Sequence, residues 1–191
     1  YQDVVRINSQ SGKGGVAYIL QRDFGFHLPR WTQIDFSRVI QQEAERRQTE
    51  LTSDDVINVF ENTYLNQSAL ALQDYEIKNT GGAVSFKGSV RLGDEVVDVV
   101  GNGNGPLSAF INGIAEKLQK NIHVINYAEH ALTQNDITST DANAVAYLQL
   151  NIDGEIYSGI GTCSSTVSAM LKAALSALAQ AQLIDSVHSP A

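Results

Sequence analysis

Two hydrophobic periods divide the chain. From Asp35 to Arg47, DFSRVIQQEAERR places Phe36, Val39, Ile40 and Ala44 at helical spacing among charged residues, which predicts a helix with one apolar face. TSDDVINVFENTYL repeats the device. Ser53 stands at an N-cap position, Asp54 and Asp55 lie where the helix dipole favours negative charge, and Val56, Val59, Phe60 and Tyr64 form the stripe. Upstream, VAYILQRDFGFHLPR carries a turn signal at Asp23-Phe24-Gly25 and a helix stop at Leu28-Pro29-Arg30. Residues 1–67 read as a mainly helical unit.

Beyond residue 68 the pattern changes to strands. DYEIKN, AVSFKGSVRLG and DEVVDVVG are predicted strands, with Gly93-Asp94 as a turn between the last two. NGNGPLSAFINGIAEKLQ then opens a helix with Pro106 in its first turn and Leu107, Phe110, Ile114 and Leu118 on its core face. The order recurs: IHVINYAEHAL, ANAVAYLQLNID and GEIYSGIG as strands, SSTVSAMLKAALSALAQA as a helix. An offset of 60 residues pairs Glu95 with Glu155, Gly101 with Gly161, Ser108 with Ser168, Ala109 with Ala169, Phe110 with Met170 and Leu118 with Leu178. The expected fold class is α+β. A mainly helical unit precedes residues 68–191, which form two pseudo-symmetric βββα units related by a pseudo-twofold axis.

Charge narrows the function classes. A formal net charge of −8, with scattered Lys and Arg, argues against a nucleic-acid surface. The single cysteine, Cys163, has no partner for an internal disulfide and reads as a small buried residue of a reducing compartment. No run approaches the length of a membrane span and no signal peptide opens the sequence, so a soluble, cytoplasmic protein is expected. The start at Tyr1, without Met and directly in β-branched residues, reads as a piece of something longer.

Candidate chemistry concentrates in glycine-rich loops. SQSGKGGVAYIL resembles a phosphate loop, but Lys13 is followed by Gly14 where a Ser or Thr must reach magnesium. A glycine-rich turn is the expectation there. GNGNGPLSAF joins a strand to a helix start, where backbone N–H groups favour a carboxylate or phosphate; an ordinary strand-to-helix turn is the alternative. SGIGTCSSTV repeats the geometry with hydroxyls, and the pair suggests a small anionic or zwitterionic ligand. His27, His123, His130 and His188 show no metal-ligand spacing, and adjacent Glu129 and His130 point in different directions. Asp54-Asp55 and Glu43/Glu45 read as solvated or dipole-complementing charges, and no Ser-His-Asp or Cys-His arrangement is apparent.

The residues VVRINSQSGKGGVAYIL, the LPR and DFS segments, GNGNGPLSAF and INYAEHAL closely resemble the C-terminal part of the 2-isopropylmalate synthase family, over nearly the whole chain. The resemblance implies a linker subdomain over 1–67 and, over 68–191, a regulatory domain that dimerises and binds L-leucine as feedback inhibitor. The family's reaction condenses acetyl-CoA with 3-methyl-2-oxobutanoate. It implies no cofactor in this segment; the divalent metal (Mg, Mn or Zn) belongs to a catalytic barrel outside it, so the segment alone is expected to be inactive. Carried over by motif, the leucine site comprises Gly103, Asn104, Gly105, Leu107 and Ser108, then Val124, Tyr127 and Ala131, then Ala142. Ser108 stands where some relatives have Ala. Tyr1 matches a tyrosine that reaches a partner subunit's active site. SQSGKGGVAYIL falls in the linker with no phosphate role. The expected partners are leucine and a second copy, with neither nucleic acid nor membrane. A citramalate-synthase regulatory domain sensing isoleucine, or a dimerisation module without ligand, are the alternatives.

Overall fold

The computed structural model describes residues 6–8, 12–66, 69–132 and 143–182. Tyr1 and Ala142 lie outside the described residues. The first unit comprises α1 (Lys13–Phe24), α2 (Arg30–Arg47) and α3 (Ser53–Phe60), the last running into a π-helical turn, Glu61–Leu65. Gly14 and Gly15 are helical, so the glycine-rich segment opens α1 instead of forming a separate turn. Gly25 closes that helix in the left-handed region at φ 76°, as Asp23-Phe24-Gly25 predicts. Leu28-Pro29-Arg30 begins a helix instead of ending one. Pro29 is the N-cap of α2, a place where a missing N–H costs nothing. The N-cap of α3 is Thr52, one residue before the expected Ser53. Its hydroxyl accepts from Asp55 N–H at 3.2 Å, and the Asp55 carboxylate accepts from Thr52 N–H at 2.9 Å. Phe36, Ile40, Ala44, Val56, Phe60 and Tyr64 are buried as their spacing requires, with ring centroids of Phe26, Phe36, Phe60 and Tyr64 between 4.7 and 5.8 Å apart.

The second part is two βββα units. The first holds β1 (Leu70–Thr80), β2 (Ala83–Leu92), β3 (Glu95–Gly103) and α4 (Pro106–Leu118); the second holds β4 (Ile122–Leu132), β5 (Asn143–Ile152), β6 (Glu155–Cys163) and α5 (Thr166–Gln180). Each unit is an antiparallel three-stranded sheet in sequential order. The repeat is literal at the helix–strand contact. A Cβ on Gly101 would lie 2.0 Å from Ala109 O, and one on Gly161 would lie 2.2 Å from Ala169 O, so both third strands press backbone to backbone on their helices. The two units exchange partners: β1 packs against α5, and β4 packs against α4. One core results, shared by Phe86, Val90, Phe110 and Ile114 from the first unit and Leu148, Leu150, Leu171 and Leu178 from the second.

The outer faces of the two sheets differ. Val145, Tyr147 and Ile160 of the second sheet are buried in one cluster with Ile19, Leu20 and Phe60 of the helical unit. Their repeat counterparts in the first sheet are Ser85, Lys87 and Val100, and that face is open. A buried hydroxyl fixes the joint: Ser176 Oγ donates to Tyr64 O at 2.7 Å and accepts from Ile160 N–H at 3.1 Å. Gln180 Nε2 donates to Thr63 O nearby.

Candidate functional site

The loop from β3 into α4 is built by packing before it is built for a ligand. A Cβ on Gly103 would fall 2.2 Å from Ser108 Oγ and 2.6 Å from Ala109 N, so this glycine admits the helix, not a substrate. Gly105 is different. It is the N-cap of α4, its backbone is extended, and a Cβ there would meet nothing within 4 Å. Ser108 turns back to accept from Gly105 N–H at 3.1 Å and lies 2.8 Å from Asn104 Oδ1. Because Gly105 has no side chain, no side chain caps the start of α4. Its first turn presents N–H groups beside an exposed Asn104 and a half-buried Leu107.

Strand β4, which packs on α4, carries the other candidates. Its pairing with β5 shifts between Val124 and Asn126, which adds one residue and brings Val124, opposite Leu150, onto the same face as Tyr127, opposite Leu148. Ala131, opposite Ala144, follows on that face. Leu148, Leu150 and Ala144 belong to the shared core, so the three β4 residues face the helix side of the sheet. Val124 and Tyr127 are each 39 % exposed. The Tyr127 hydroxyl donates to Glu129 at 2.6 Å, and burial followed by this bond pushes the phenol up, leaving a neutral donor. The strand that packs on α4 thus carries Val124, Tyr127 and Ala131 on its helix side, and the β3–α4 loop leads into that same helix.

The second repeat shows the same place closed. Tyr75 stands opposite Gly88 and Tyr127 opposite Leu148, and Gly88 and Leu148 are matched by the offset of 60, so the two tyrosines occupy equivalent positions. Tyr75 stacks on Phe86 at 5.8 Å, and its hydroxyl meets Ser168 Oγ at 2.6 Å. The position equivalent to Phe86 is Ala146, so Tyr127 has no such ring beneath it. Ser165 occupies the position of Gly105 and caps its helix itself, accepting from Ser168 N–H at 3.2 Å. Of the two glycine- and serine-rich loops expected to act alike, only the first leaves its helix start open.

Other candidates resolve structurally. Glu43 binds Arg46 at 2.7 Å and Arg47 at 2.6 Å, and these guanidiniums hold its carboxyl down to about 2; Arg47 reaches on to Asp55 at 2.7 Å. Cys163 is half-buried instead of buried. Burial alone pushes its thiol up, but Ser165 N–H, the Lys172 charge and Ser164 together hold it below the usual value. No group of three or more His, Cys, Asp or Glu side chains converges among the described residues. A cleft of about 580 Å³ lies between the π-helical turn, β1, β6 and α5, lined by Glu61, Tyr64, Leu70, Leu72, Lys172 and Ser176 among others. It touches none of the site residues above. No helix among the described residues is long and apolar enough to cross a membrane.

Comparison with known proteins decides the family. Residues 50–182 match the model of the LeuA allosteric (dimerisation) domain, and residues 1–21 match that of the alpha-isopropylmalate synthase post-catalytic domain-like family. The chain belongs to the LeuA allosteric domain family. Its curated relatives include the 2-isopropylmalate synthase of Thermobifida fusca (strain YX), 40 % identical over 95 % of this chain and 31 % of the relative. That of Mycobacterium leprae (strain TN) is 37 % identical over 95 % of the chain and 30 % of the relative. That of Clostridium acetobutylicum is 34 % identical over 96 % and 33 %. The chain spans about a third of the length of the relatives it matches.

This LeuA-family chain also brings together residues that local pattern does not connect. His27 and His130 are 103 positions apart and lack metal-ligand spacing, yet their rings stand edge to face at 5.1 Å, with Tyr147 stacked on His130 at 5.5 Å. Glu129 and His130 do point apart as alternation requires: the first faces Tyr127, the second faces Tyr147. Glu129 is absent from the motif-derived site, although the alternation of the predicted strand already puts it on the face of Tyr127.

Proposed function

We propose that this chain is the leucine-responsive regulatory part of a 2-isopropylmalate synthase, binding L-leucine as feedback inhibitor of the condensation of acetyl-CoA with 3-methyl-2-oxobutanoate. The supporting observation is the asymmetry between the repeats: the second site closes on itself through Tyr75, Ser168 and Ser165, whereas the first leaves the start of α4 uncapped, on a helix against which the strand of Val124, Tyr127 and Ala131 packs. The open N–H groups suit a carboxylate, and the Asn104 oxygen and loop carbonyls suit an ammonium. Leu107, Val124 and Ala131 suit an isobutyl group, whose burial contributes about 1.5–3 kcal/mol. Ser108 keeps the loop polar and is itself held by Gly105 and Asn104. In this reading the condensation and its divalent metal belong to the part of the relatives that the chain does not match, Tyr1 serves a partner's active site, and two copies associate through the LeuA domain.

Thermal unfolding of the chain against a leucine titration, with isoleucine and valine as controls, tests this. A leucine-selective rise is expected, about 2.7 kcal/mol of stabilisation at a hundredfold excess over the dissociation constant. An isoleucine preference would assign the site to a citramalate-type regulator, and no response to any of the three would leave a dimerisation module.

A further inference from the structure

Strand β4 has two working faces. Val124, Tyr127 and Ala131 lie on its helix side, while Ala128, His130 and Leu132 alternate onto the side where the helical unit docks. His130 makes the polar contact from that face to the helical unit, while Asn126 on the same face bonds within the sheet to Gln149. Its Nδ1 lies 2.9 Å from Ala131 O, an acceptor only, so Nδ1 carries the proton. Its Nε2 is then a bare lone pair that accepts from the backbone N–H of His27 at 3.2 Å and from the Tyr147 hydroxyl at 2.8 Å. His27 sits in the connection between α1 and α2, so this one nitrogen joins the helical unit to β4 and β5.

We propose that His130 is the positioning residue that couples strand β4 to the helical unit, acting as the neutral, Nδ1-protonated imidazole, and that protonation at Nε2 releases the coupling. A proton there turns the acceptor into a donor. It can still point at the Tyr147 oxygen, but two N–H groups, its own and that of His27, then face each other. The titratable groups facing His130 are the His27 imidazole from the α1–α2 connection and the Tyr147 phenol from β5. Burial pushes the phenol up against the opposing pull of the His27 N–H, which also reaches its oxygen, so it remains a protonated donor. The His27 ring adds a second positive charge 5.1 Å away when both imidazoles are protonated, which opposes the contact further. Proton uptake at Nε2 therefore opposes the coupling and proton loss restores it. Because the same strand carries the candidate ligand face, any coupling between proton binding at His130 and ligand binding at Tyr127 is reciprocal. This last consequence rests on the reading of the previous subsection; the coupling itself does not.

Amide exchange at His27 and imidazole ¹⁵N spectra of the full 191-residue chain test it. At pH 8 the spectra should show the Nδ1–H tautomer of His130. Lowering the pH to 5.5 should cut the protection of the His27 amide at least tenfold beyond the intrinsic pH dependence of exchange. His130→Gln keeps an acceptor but cannot titrate, and its protection should be flat with pH. His27→Ala keeps the backbone donor and should retain the fall. An Nε2–H tautomer, a His27 amide indifferent to pH in the wild type, or the same fall in His130→Gln overturns the proposal; the first two need no variant to fold. A leucine titration at both pH values separates the two ideas. Absence of any leucine shift counts against the ligand reading, while the exchange result still decides the role of His130.

Discussion

Gly105 is the residue on which the difference between the repeats turns. Its counterpart Ser165 caps α5, and nothing blocks a side chain at Gly105, where the backbone is extended and open. Gly105→Ser should therefore give α4 the same self-made cap. The expected result is a small gain in stability of the ligand-free chain, a few tenths of a kcal/mol. At the proposed leucine site, affinity should fall about tenfold or more, because the serine oxygen would compete for the N–H groups that the proposal assigns to the carboxylate. Urea denaturation and calorimetric titration of one protein preparation give both numbers. A serine variant that binds leucine as tightly as the wild type places the carboxylate elsewhere. Single residues of this kind were readable only in part. Pro106 and the glycines mark a helix start, yet the sequence does not separate Gly103, which is needed for packing, from Gly105, which is not; that distinction depends on how closely Ser108 approaches.

Elements were more legible than their partners. The strands of the two units follow from alternation and turn signals, and the capping box of α3 follows from Thr52 and Asp55 once the start is moved by one residue. ANAVAYLQLNI reads as a nearly continuous apolar run because β5 is covered on both faces, by α5 on one and the helical unit on the other. What local pattern cannot show is the bulge in β4, which puts Val124 and Tyr127 on one face though they are three apart, or the exchange of first strands between helices. Tyr75 and Ser168 illustrate the second point, being bonded across 93 positions. Their contact should be measurable by a double-mutant cycle with Tyr75→Phe and Ser168→Ala. Each single change is expected to cost about 1 kcal/mol, with the pair costing clearly less than the sum. Strict additivity would mean that the 2.6 Å contact carries no coupling energy.

At the scale of the whole molecule, composition of one sheet face decides the architecture. Val145, Tyr147 and Ile160 receive the helical unit, while Ser85 and Lys87 at two of the equivalent positions leave the first sheet uncovered. Making the second face like the first should detach the helical unit without dissolving the paired repeats. Val145→Lys, at a fully buried position, is expected to destabilise the chain by about 3 kcal/mol or more. Proteolysis should then begin in α1–α3 while amides of β5 and β6 stay protected; simultaneous loss of protection throughout would show that the repeats need the helical unit to fold.

The exchanged first strands also bear on how the chain assembles. Neither βββα unit contains the helix that covers its own first strand, so a half-molecule made of residues 70–118 lacks the surface on which β1 rests. The Gly81-Gly82 hairpin can form early from neighbouring residues, but β1 docks only after α5, the last element described, has been made. During synthesis on the ribosome the first unit must therefore wait, half-finished, for the second, and the complete regulatory fold arrives in a single late step instead of growing one repeat at a time.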